Sequence, residues 1–384
     1  MTDNRDGRID AIDMLRGFAL VGILMANILW HSGFLDSPMS VRIERLNVTF
    51  LDQALLFFTR LFVHGKFYYI YSLLFGLGFY ILYSRYKGNE RVFPYYFVKR
   101  QSILFLIGCI HALFIWWGDI LRYYAILGVL LMLVRDWSTR SLLILSATLL
   151  LLPVAQDIAK YYGISTPTID LAHGFKKSQL YSLYQQGEWF SANFQRLIFA
   201  IESNFNTGRL YKSTSMFLLG YCFGRTEFFS SSDAKQRMKV QLMIAAIIVA
   251  FPAGILKAMM QYTAISIKPE LRSIALELLY LISVTGMALG YAAAIAYFSE
   301  HLKRAKLGNA FCILGRLPLT NYLMQSLIGL LLFHATGLFS KLSLSWVYLI
   351  ALAIILGQLL FSHHWLKSHK TGPIEEIWRK LASQ

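Results

Sequence analysis

The sequence predicts an all-α integral membrane protein that crosses the membrane as about ten helices. Hydrophobic residues make up 56% of the chain and charged residues only 15%, whereas a soluble domain carries about a quarter charged residues. The mean hydropathy is +0.50. Apolar segments of about 20 residues, the length that spans a bilayer as a helix, recur along all 384 residues.

The predicted spans alternate with short polar loops from one end of the chain to the other. The first follows a polar amino terminus and is too long for the core of a cleavable signal peptide, so we expect it to be retained. Residues 51–60 are amphipathic and are predicted to lie in the membrane interface. Gly76 and Gly78 are expected to let a neighbouring helix approach closely. The ten predicted spans are residues 12–30, 66–84, 101–117, 119–134, 141–155, 211–224, 240–261, 273–298, 310–334 and 344–362.

One long polar stretch interrupts this alternation. It is rich in Ser, Tyr, Gln and Asn, and it is too short to be a full domain, so we interpret it as a partly helical extracytoplasmic cap. We see no internal repeat. The chain is therefore predicted to be a single transmembrane domain with three parts, namely 1–155, 156–210 and 211–384.

The basic residues predict the orientation of the chain. The formal net charge is +16, and the Lys and Arg residues cluster in the loops after spans two, four, six and eight and in the carboxy-terminal tail. The positive-inside rule then places both termini in the cytoplasm. The same distribution argues against a nucleic-acid partner and predicts contacts with anionic membrane lipids.

The stretch 109–124, between two long apolar runs, carries a histidine, an aspartate and an arginine. Ionisable side chains at membrane depth are costly and mark a functional site by default. Trp116 and Trp117 precede a Gly-Asp turn, which indicates a tight helix hairpin at a membrane interface. His111 and Asp119 are the predicted catalytic pair, in which the carboxylate orients the imidazole and the imidazole takes a proton. Residues eight apart around a turn need not touch, so the sequence leaves their contact open.

Other polar residues in apolar helices are predicted to line a cavity in the outer half of the membrane and to bind substrate. For any one of them a structural role competes, since Lys66, for example, can extend its amine to the interface. Arg316 and Asn321 lie deep in their span and are expected to stabilise developing negative charge. The predicted substrate-binding residues are Asn27, Lys66, Arg122, Arg316, Thr320, Asn321 and Gln325. The three cysteines show no metal-binding spacing, and we expect no metal.

Several motifs resemble those of the YeiB-like membrane proteins. In the amino-terminal part they are Ile9 to Leu20, Gly65-Lys66-Phe67, Phe75 to Gly78, Gly108 to His111 and Gly118 to Leu121. In the carboxy-terminal third they are Gly315 to Ser326 and Gly372 to Arg379. The resemblance covers nearly the whole chain.

This resemblance implies a place among the transmembrane acyltransferases, which move an acyl group from cytosolic acyl-CoA to an acceptor across the membrane. In the sugar O-acyltransferases of that group a histidine follows the Arg-Gly motif of the first helix, where this chain has Asn27. His111 therefore becomes the preferred catalytic candidate. Acyl-CoA, for example acetyl-CoA, is the expected co-substrate, and its phosphates are expected to dock on Arg16, Arg85, Arg91, Lys99 and Arg100.

The leading hypothesis is thus a multi-pass acyltransferase of the bacterial inner membrane that acylates a hydroxyl or amine of a small molecule or sugar. The alternative is a permease for an anionic solute or lipid, with the same cavity binding its substrate without chemistry. A non-catalytic scaffold fits poorly with so many polar groups at membrane depth. The sequence leaves a homodimer open.

Overall fold

The computed structural model describes residues 9–36, 49–86, 91–171, 177–262 and 268–383. All regular structure in these ranges is helical, which confirms the all-α prediction. The helices in chain order are α1 Asp10–His31, α2 Phe50–Phe58, α3 Lys66–Arg85, α4 Phe93–Phe114, α5 Leu121–Leu133, α6 Thr139–Tyr161, α7 Lys177–Gln185, α8 Trp189–Asn206, α9 Arg209–Arg225, α10 Asp233–Ala245, α11 Phe251–Tyr262, α12 Pro269–Arg304, α13 Lys306–Gly315, α14 Pro318–Gly329, α15 Leu344–Trp365 and α16 Pro373–Ser383. Short π-helical turns extend α2 through Thr59–Val63, join α10 to α11 through Ala246–Ala250, and extend α14 through Leu330–Ala335.

Seven stretches of the described residues are long and apolar enough to cross a membrane, so the chain is a multi-pass membrane protein. They are Asp10–His31, Phe50–Arg85, Phe93–Phe114, Thr139–Tyr161, Asp233–Met260, Pro269–Arg304 and Leu344–Trp365. The predicted span at 119–134 corresponds to the shorter apolar helix α5. The count of ten and the orientation stay predictions.

The predicted continuous span at 310–334 is wrong, because the chain breaks between α13 and α14. Arg316 and Leu317 separate the two helices, and Pro318 begins the second one. Proline lacks a backbone N–H, and its ring collides with the carbonyl four residues earlier, so it is favoured at the start of a helix and destabilising within one. The break leaves Arg316 outside both helices.

The predicted start of the third span was also too late. Helix α4 begins at Phe93, with Pro94 in its first turn. Lys99 and Arg100 precede the predicted span at 101–117, and the structure places both of them inside this helix. Arg100 thereby faces the carboxy-terminal helix α16, where its guanidinium lies 3.6 Å from the centre of the Trp378 ring.

Glycines bring pairs of helices into backbone contact at the centre of the fold. A β-carbon on Gly76 of α3 would come within 1.9 Å of the Phe217 carbonyl oxygen on α9, and one on Gly220 equally close to the carbonyl of Leu73. The expected close approach at Gly76 is therefore confirmed. It is wrong for Gly78, which has open space where a β-carbon would lie and faces a cavity instead.

The stretch interpreted as a cap contains α7 and α8, and its residues 172–176 lie outside the described ranges. Helix α8 packs against the α4–α5 hairpin. Asn193 of α8 donates from Nδ2 to the carbonyls of Ala112 (2.9 Å) and Leu113 (3.1 Å), and its Oδ1 accepts from the backbone N–H of Trp117 at 2.9 Å. One buried asparagine thus ties α8 to the turn that positions the predicted catalytic pair.

Candidate functional site

His111 and Asp119 are in contact across the hairpin turn. The distance from Nδ1 of His111 to Oδ2 of Asp119 is 2.9 Å. The side chains are 1% and 0% exposed. A buried carboxylate is stable only when it is paired or hydrogen-bonded, and here the imidazole is one of its partners.

Arg122 is the second partner of the carboxylate. Oδ1 of Asp119 accepts from the Arg122 backbone N–H at 3.0 Å and from its Nε at 3.3 Å. The backbone contact satisfies an N–H in the first turn of α5, where a helix lacks internal acceptors. Asp119 is thus held from both sides, with Oδ2 directed to the imidazole and Oδ1 to Arg122.

The local chain geometry explains why residues eight apart meet here. Helix α4 ends as the His111 carbonyl accepts from the backbone N–H groups of Ile115 (3.0 Å) and Trp116 (2.8 Å). The chain then turns back at Gly118. Gly108, one turn before His111, lies against the carboxylate, since a β-carbon there would come within 2.9 Å of Asp119 Oδ1.

The other ring nitrogen of His111 is available for chemistry. Among the described residues Nε2 is buried and has no hydrogen-bond partner. With Asp119 accepting from Nδ1–H, a neutral imidazole presents Nε2 as an acceptor. The rings of Tyr322 and Trp116 flank it, with centroids 5.3 and 6.4 Å away. On its far side Trp116 packs against His31, at 4.5 Å between ring centroids.

A cavity of about 710 Å³ reaches residues that neighbour this pair, although neither His111 nor Asp119 lines it. Its deep end includes Ile120 and Leu121, which follow Asp119, and Tyr322, whose ring contacts His111. At the other end it is strongly basic, since its described lining residues include six positively charged side chains and two acidic ones, Asp13 and Glu375. We call this space the basic cavity. Its positively charged residues are Arg16, Arg85, Arg100, Arg316, Lys370 and Arg379.

The five residues expected to bind acyl-CoA divide into two groups. Arg16, Arg85 and Arg100 line the basic cavity, whereas Arg91 and Lys99 do not. The sequence analysis missed Lys370 and Arg379 as lining residues. The basic character of the tail was the available signal, but the packing of α16 against α4 cannot be read from a local pattern.

The seven residues expected to bind substrate do not lie together in one outer cavity. Arg316 lines the basic cavity. Lys66 begins α3, at the end opposite Arg85, and donates from Nζ to the Arg60 carbonyl at 3.1 Å. Asn27 is half-buried on α1 and lines no part of the basic cavity. Arg122 contacts Asp119, as described above.

Asn321 and Gln325 instead join two helices. Gln325 donates to the Gln358 side chain of α15 at 3.0 Å, and Gln358 donates to the Asn321 carbonyl at 2.7 Å. The Asn321 side chain donates to Ser362 at 3.0 Å and to the Leu314 carbonyl at 3.2 Å. These buried polar groups satisfy each other, which makes them interhelical contacts rather than free ligand donors.

Thr320 contacts a residue that the sequence analysis did not single out. Oε1 of Glu375, on α16, accepts from the backbone N–H groups of Leu319 (2.7 Å) and Thr320 (3.1 Å), and Oε2 accepts from the Thr320 hydroxyl. Glu375 is 6% exposed and caps the start of α14. Among the described residues, no group of three or more His, Cys, Asp or Glu side chains has the geometry to hold a metal ion.

Comparison with known proteins identifies relatives over the full length of the chain. Residues 223–384 match a family described as a protein of unknown function, DUF418. The uncharacterised protein YxaH of Bacillus subtilis is 27% identical over 97% of this chain and 93% of its own length. An uncharacterised 39.9 kDa protein from Bacillus acidopullulyticus is 29% identical, over 98% and 94%.

The uncharacterised protein YeiB of Escherichia coli is 28% identical over 96% of this chain and 95% of its own length. No solved structure matches the chain. The DUF418 region begins at the end of α9 and contains the broken α13–α14 pair, the α14–α15 polar contacts and α16. The chain therefore carries the DUF418 match in its carboxy-terminal part and is similar to YxaH and YeiB along nearly its whole length.

Proposed function

We propose that this protein is an acyltransferase of the bacterial inner membrane. Acyl-CoA binds in the basic cavity, and His111, oriented by Asp119, activates a hydroxyl or amine acceptor such as a sugar. The observation that carries this proposal is that one cavity has a cluster of cationic side chains at one end and at the other reaches Tyr322, whose ring contacts His111 of the buried His–Asp pair.

The basic end suits the phosphates of a coenzyme. Arg16 and Arg379 lie close enough to Arg100 to repel it electrostatically, and a polyphosphate would relieve that repulsion. Guanidinium groups bind phosphate oxygens in a bidentate manner, which makes arginine the favoured residue for this task. Coenzyme A carries its phosphates at one end and the thioester at the other, so a long cavity with one basic end matches its charge distribution.

The walls further in are apolar and suit a pantetheine arm and an acyl chain. They include Leu74, Phe75, Phe79, Leu121 and Phe217. Cavities of about 300–1,000 Å³ are typical of small-molecule sites, and the volume of about 710 Å³ falls within that range.

The His–Asp pair supplies the acid–base step. Nε2 of His111 takes the proton of the acceptor as its oxygen or nitrogen attacks the thioester carbon, and the carbon–sulfur bond breaks. The same proton then passes to the leaving thiolate, so that free coenzyme A and acylated acceptor are formed. Asp119 stabilises the imidazolium that forms between these transfers.

Arg122 is suited to stabilise negative charge beside the pair. Its Nη2 is buried and, among the described residues, has no hydrogen-bond partner, while its Nε is held by Asp119. A fixed donor in a site that excludes water stabilises a developing oxyanion more strongly than a donor in water does. Asn321 was expected to share this role, but its side-chain amide is already bonded to Leu314 and Ser362.

The test uses the purified full-length protein in detergent with radiolabelled acetyl-CoA. Saturable binding is measured first, and transfer or slow hydrolysis of the acetyl group second. We expect H111A to bind acetyl-CoA as the wild type does and to lose turnover by at least about a hundredfold. The matched control is H363A, because His363 is exposed near the end of α15. Wild-type turnover in H111A, or no binding of acetyl-CoA to the wild type, would overturn the proposal.

A further inference from the structure

A second set of basic side chains lies at the end of α3 opposite the basic cavity. Helix α3 starts at Lys66 and ends at Arg85, and at 1.5 Å per residue these ends are about 28 Å apart. The set therefore lies near the other membrane face from Arg85, whichever face is cytoplasmic. We call it the second basic cluster, and its members are Arg60, His64, Lys66, Arg209, Lys212 and Lys257.

Three separate segments of the chain converge on His64. Arg60 and Lys66 flank it in sequence, Arg209 begins α9, and Lys257 lies on α11. All four are close enough to the imidazole to repel its protonated form. The His64 side chain is exposed at the surface of the described structure.

Two carboxylates of the described residues lie near Lys212. Glu277 pairs with Lys212, at 2.5 Å between Oε1 and Nζ. Asp157, the other carboxylate near Lys212, is already bonded to Lys160 at 3.2 Å and to Ser273 at 3.0 Å. Lys212 is thus paired with Glu277, whereas among the described residues Arg209 and Lys257 form no ion pair with a carboxylate.

Arg209 and Lys257 face tyrosine rings instead of carboxylates. The Arg209 guanidinium lies 5.6 Å from the Tyr68 ring centre, and the Lys257 amine 5.2 Å from that of Tyr280. The two hydroxyls of these tyrosines are 3.1 Å apart, and they add neutral donors beside the cations. Contact with an aromatic face leaves the N–H groups of both cations able to bind an anion.

Cations near a bilayer are stable when they meet an anion or reach water. Lys66 and Lys212 are each only 3% exposed, so they are largely withdrawn from water. A tetrahedral oxyanion with more than one negative charge can accept from several converging cationic donors at once. We infer that the second basic cluster binds a phosphate-bearing anion at the membrane face opposite the basic cavity. This inference does not depend on acyl transfer.

The test measures binding of radiolabelled inorganic phosphate to the full-length protein in detergent at low salt. The variant is R209Q/K257Q, which leaves the buried Lys66 and Lys212 intact, with K257Q alone as a milder second variant. We expect R209Q/K257Q to weaken one class of phosphate sites by about tenfold or more, as loss of charged hydrogen bonds does. R100Q/R379Q, which alters the basic cavity, should retain that class of sites.

R237Q is the charge-matched control, because Arg237 is exposed near the start of α10. A second arm compares thermal unfolding in nanodiscs of phosphatidylcholine with and without phosphatidylglycerol. Phosphate binding that depends on the cluster identifies a soluble phosphorylated ligand. Stabilisation by phosphatidylglycerol alone, lost in R209Q/K257Q, identifies a lipid headgroup. If R209Q/K257Q responds as R237Q does in both arms, the cluster is not an anion site.

Discussion

Gly108 faces Asp119 so closely that a β-carbon on the glycine would lie 2.9 Å from the carboxylate oxygen Oδ1. The same β-carbon would lie 2.7 Å from the Arg122 backbone nitrogen. No real β-carbon approaches backbone at that distance without displacing it. The absence of a side chain at Gly108 is therefore what lets α5 begin against α4 with Asp119 directed at His111.

The first prediction is that G108A separates the His–Asp pair. The added methyl group should push the start of α5 away from α4, lower the unfolding midpoint by an amount equivalent to about 1–3 kcal/mol, and reduce acetyl transfer. The matched control is G357A, since a β-carbon on Gly357 of α15 meets nothing within 4 Å. That variant should be neutral or slightly stabilised, because alanine favours a helix over glycine by up to about 1 kcal/mol. Equal unfolding midpoints for the two variants would contradict the tight contact at Gly108.

The second prediction concerns the carboxylate itself. D119N keeps the shape of the side chain but removes the charge that stabilises an imidazolium, and its amide can present a donor to Nδ1. We expect acetyl transfer to fall by about 10²- to 10⁴-fold, the range typical for loss of a general-base unit, with affinity for acetyl-CoA unchanged. D136N is the control, since Asp136 is 72% exposed in its side chain. An effect on binding alone, with turnover per bound substrate preserved, would remove Asp119 from the acid–base step.

The hydropathy pattern was sufficient to predict the membrane class and to single out His111 and Asp119 as candidates. Most spans are apolar stretches that a sliding average of hydropathy detects. His111 and Asp119 were conspicuous because ionisable residues are rare within or next to membrane spans. Their contact depends on a turn of a few residues, which is local. The position of Arg316 was misjudged because one proline decides between a continuous helix and two short ones.

Contacts distant in sequence account for most of what the sequence did not predict. Asn321 and Gln325 were expected to bind ligand, but their partners Gln358 and Ser362 lie about a helix further along the chain in an otherwise apolar segment. Nothing in the sequence near Glu375 indicates that it reaches the start of α14, 55 residues earlier. Such pairings follow from how helices pack, which periodicity alone does not specify.

The third prediction follows from the cap on α14. E375A should leave the backbone N–H groups of Leu319 and Thr320 buried without an acceptor, and should cost about 1–3 kcal/mol of unfolding free energy. The neighbouring residue offers a control, because Glu376 forms a largely exposed pair with Lys380 at 3.1 Å. E376A should change stability by less than about 0.5 kcal/mol. Unfolding by SDS in mixed micelles measures both variants, and similar losses in both would argue against the capping role.

The fourth prediction is a dependence of stability on pH at the loop that follows α1. There Asp36 accepts a hydrogen bond from Arg196 of α8, whose guanidinium lies 4.8 Å from the ring centres of both Trp30 and Trp117. Burial raises the pKa of the Asp36 carboxyl from 3.8 to about 6, although the nearby Arg196 lowers it. The folded protein therefore binds more protons at this site than the unfolded chain does between about pH 4 and 6.

The sign of the effect follows from that difference. The contribution of Asp36 to stability is fully present below its unfolded pKa of 3.8 and is lost as the pH rises through about 6. Two pKa units correspond to at most about 3 kcal/mol. The test compares thermal unfolding of the wild type and of D36N in detergent at intervals from pH 4 to 7. Because the two proteins share all other titrating groups, the difference between them reports the contribution of Asp36 to stability. We expect the Tm of D36N relative to the wild type to rise as the pH increases through this window. A constant difference in Tm across the window would show that Asp36 titrates alike in the folded and unfolded chains.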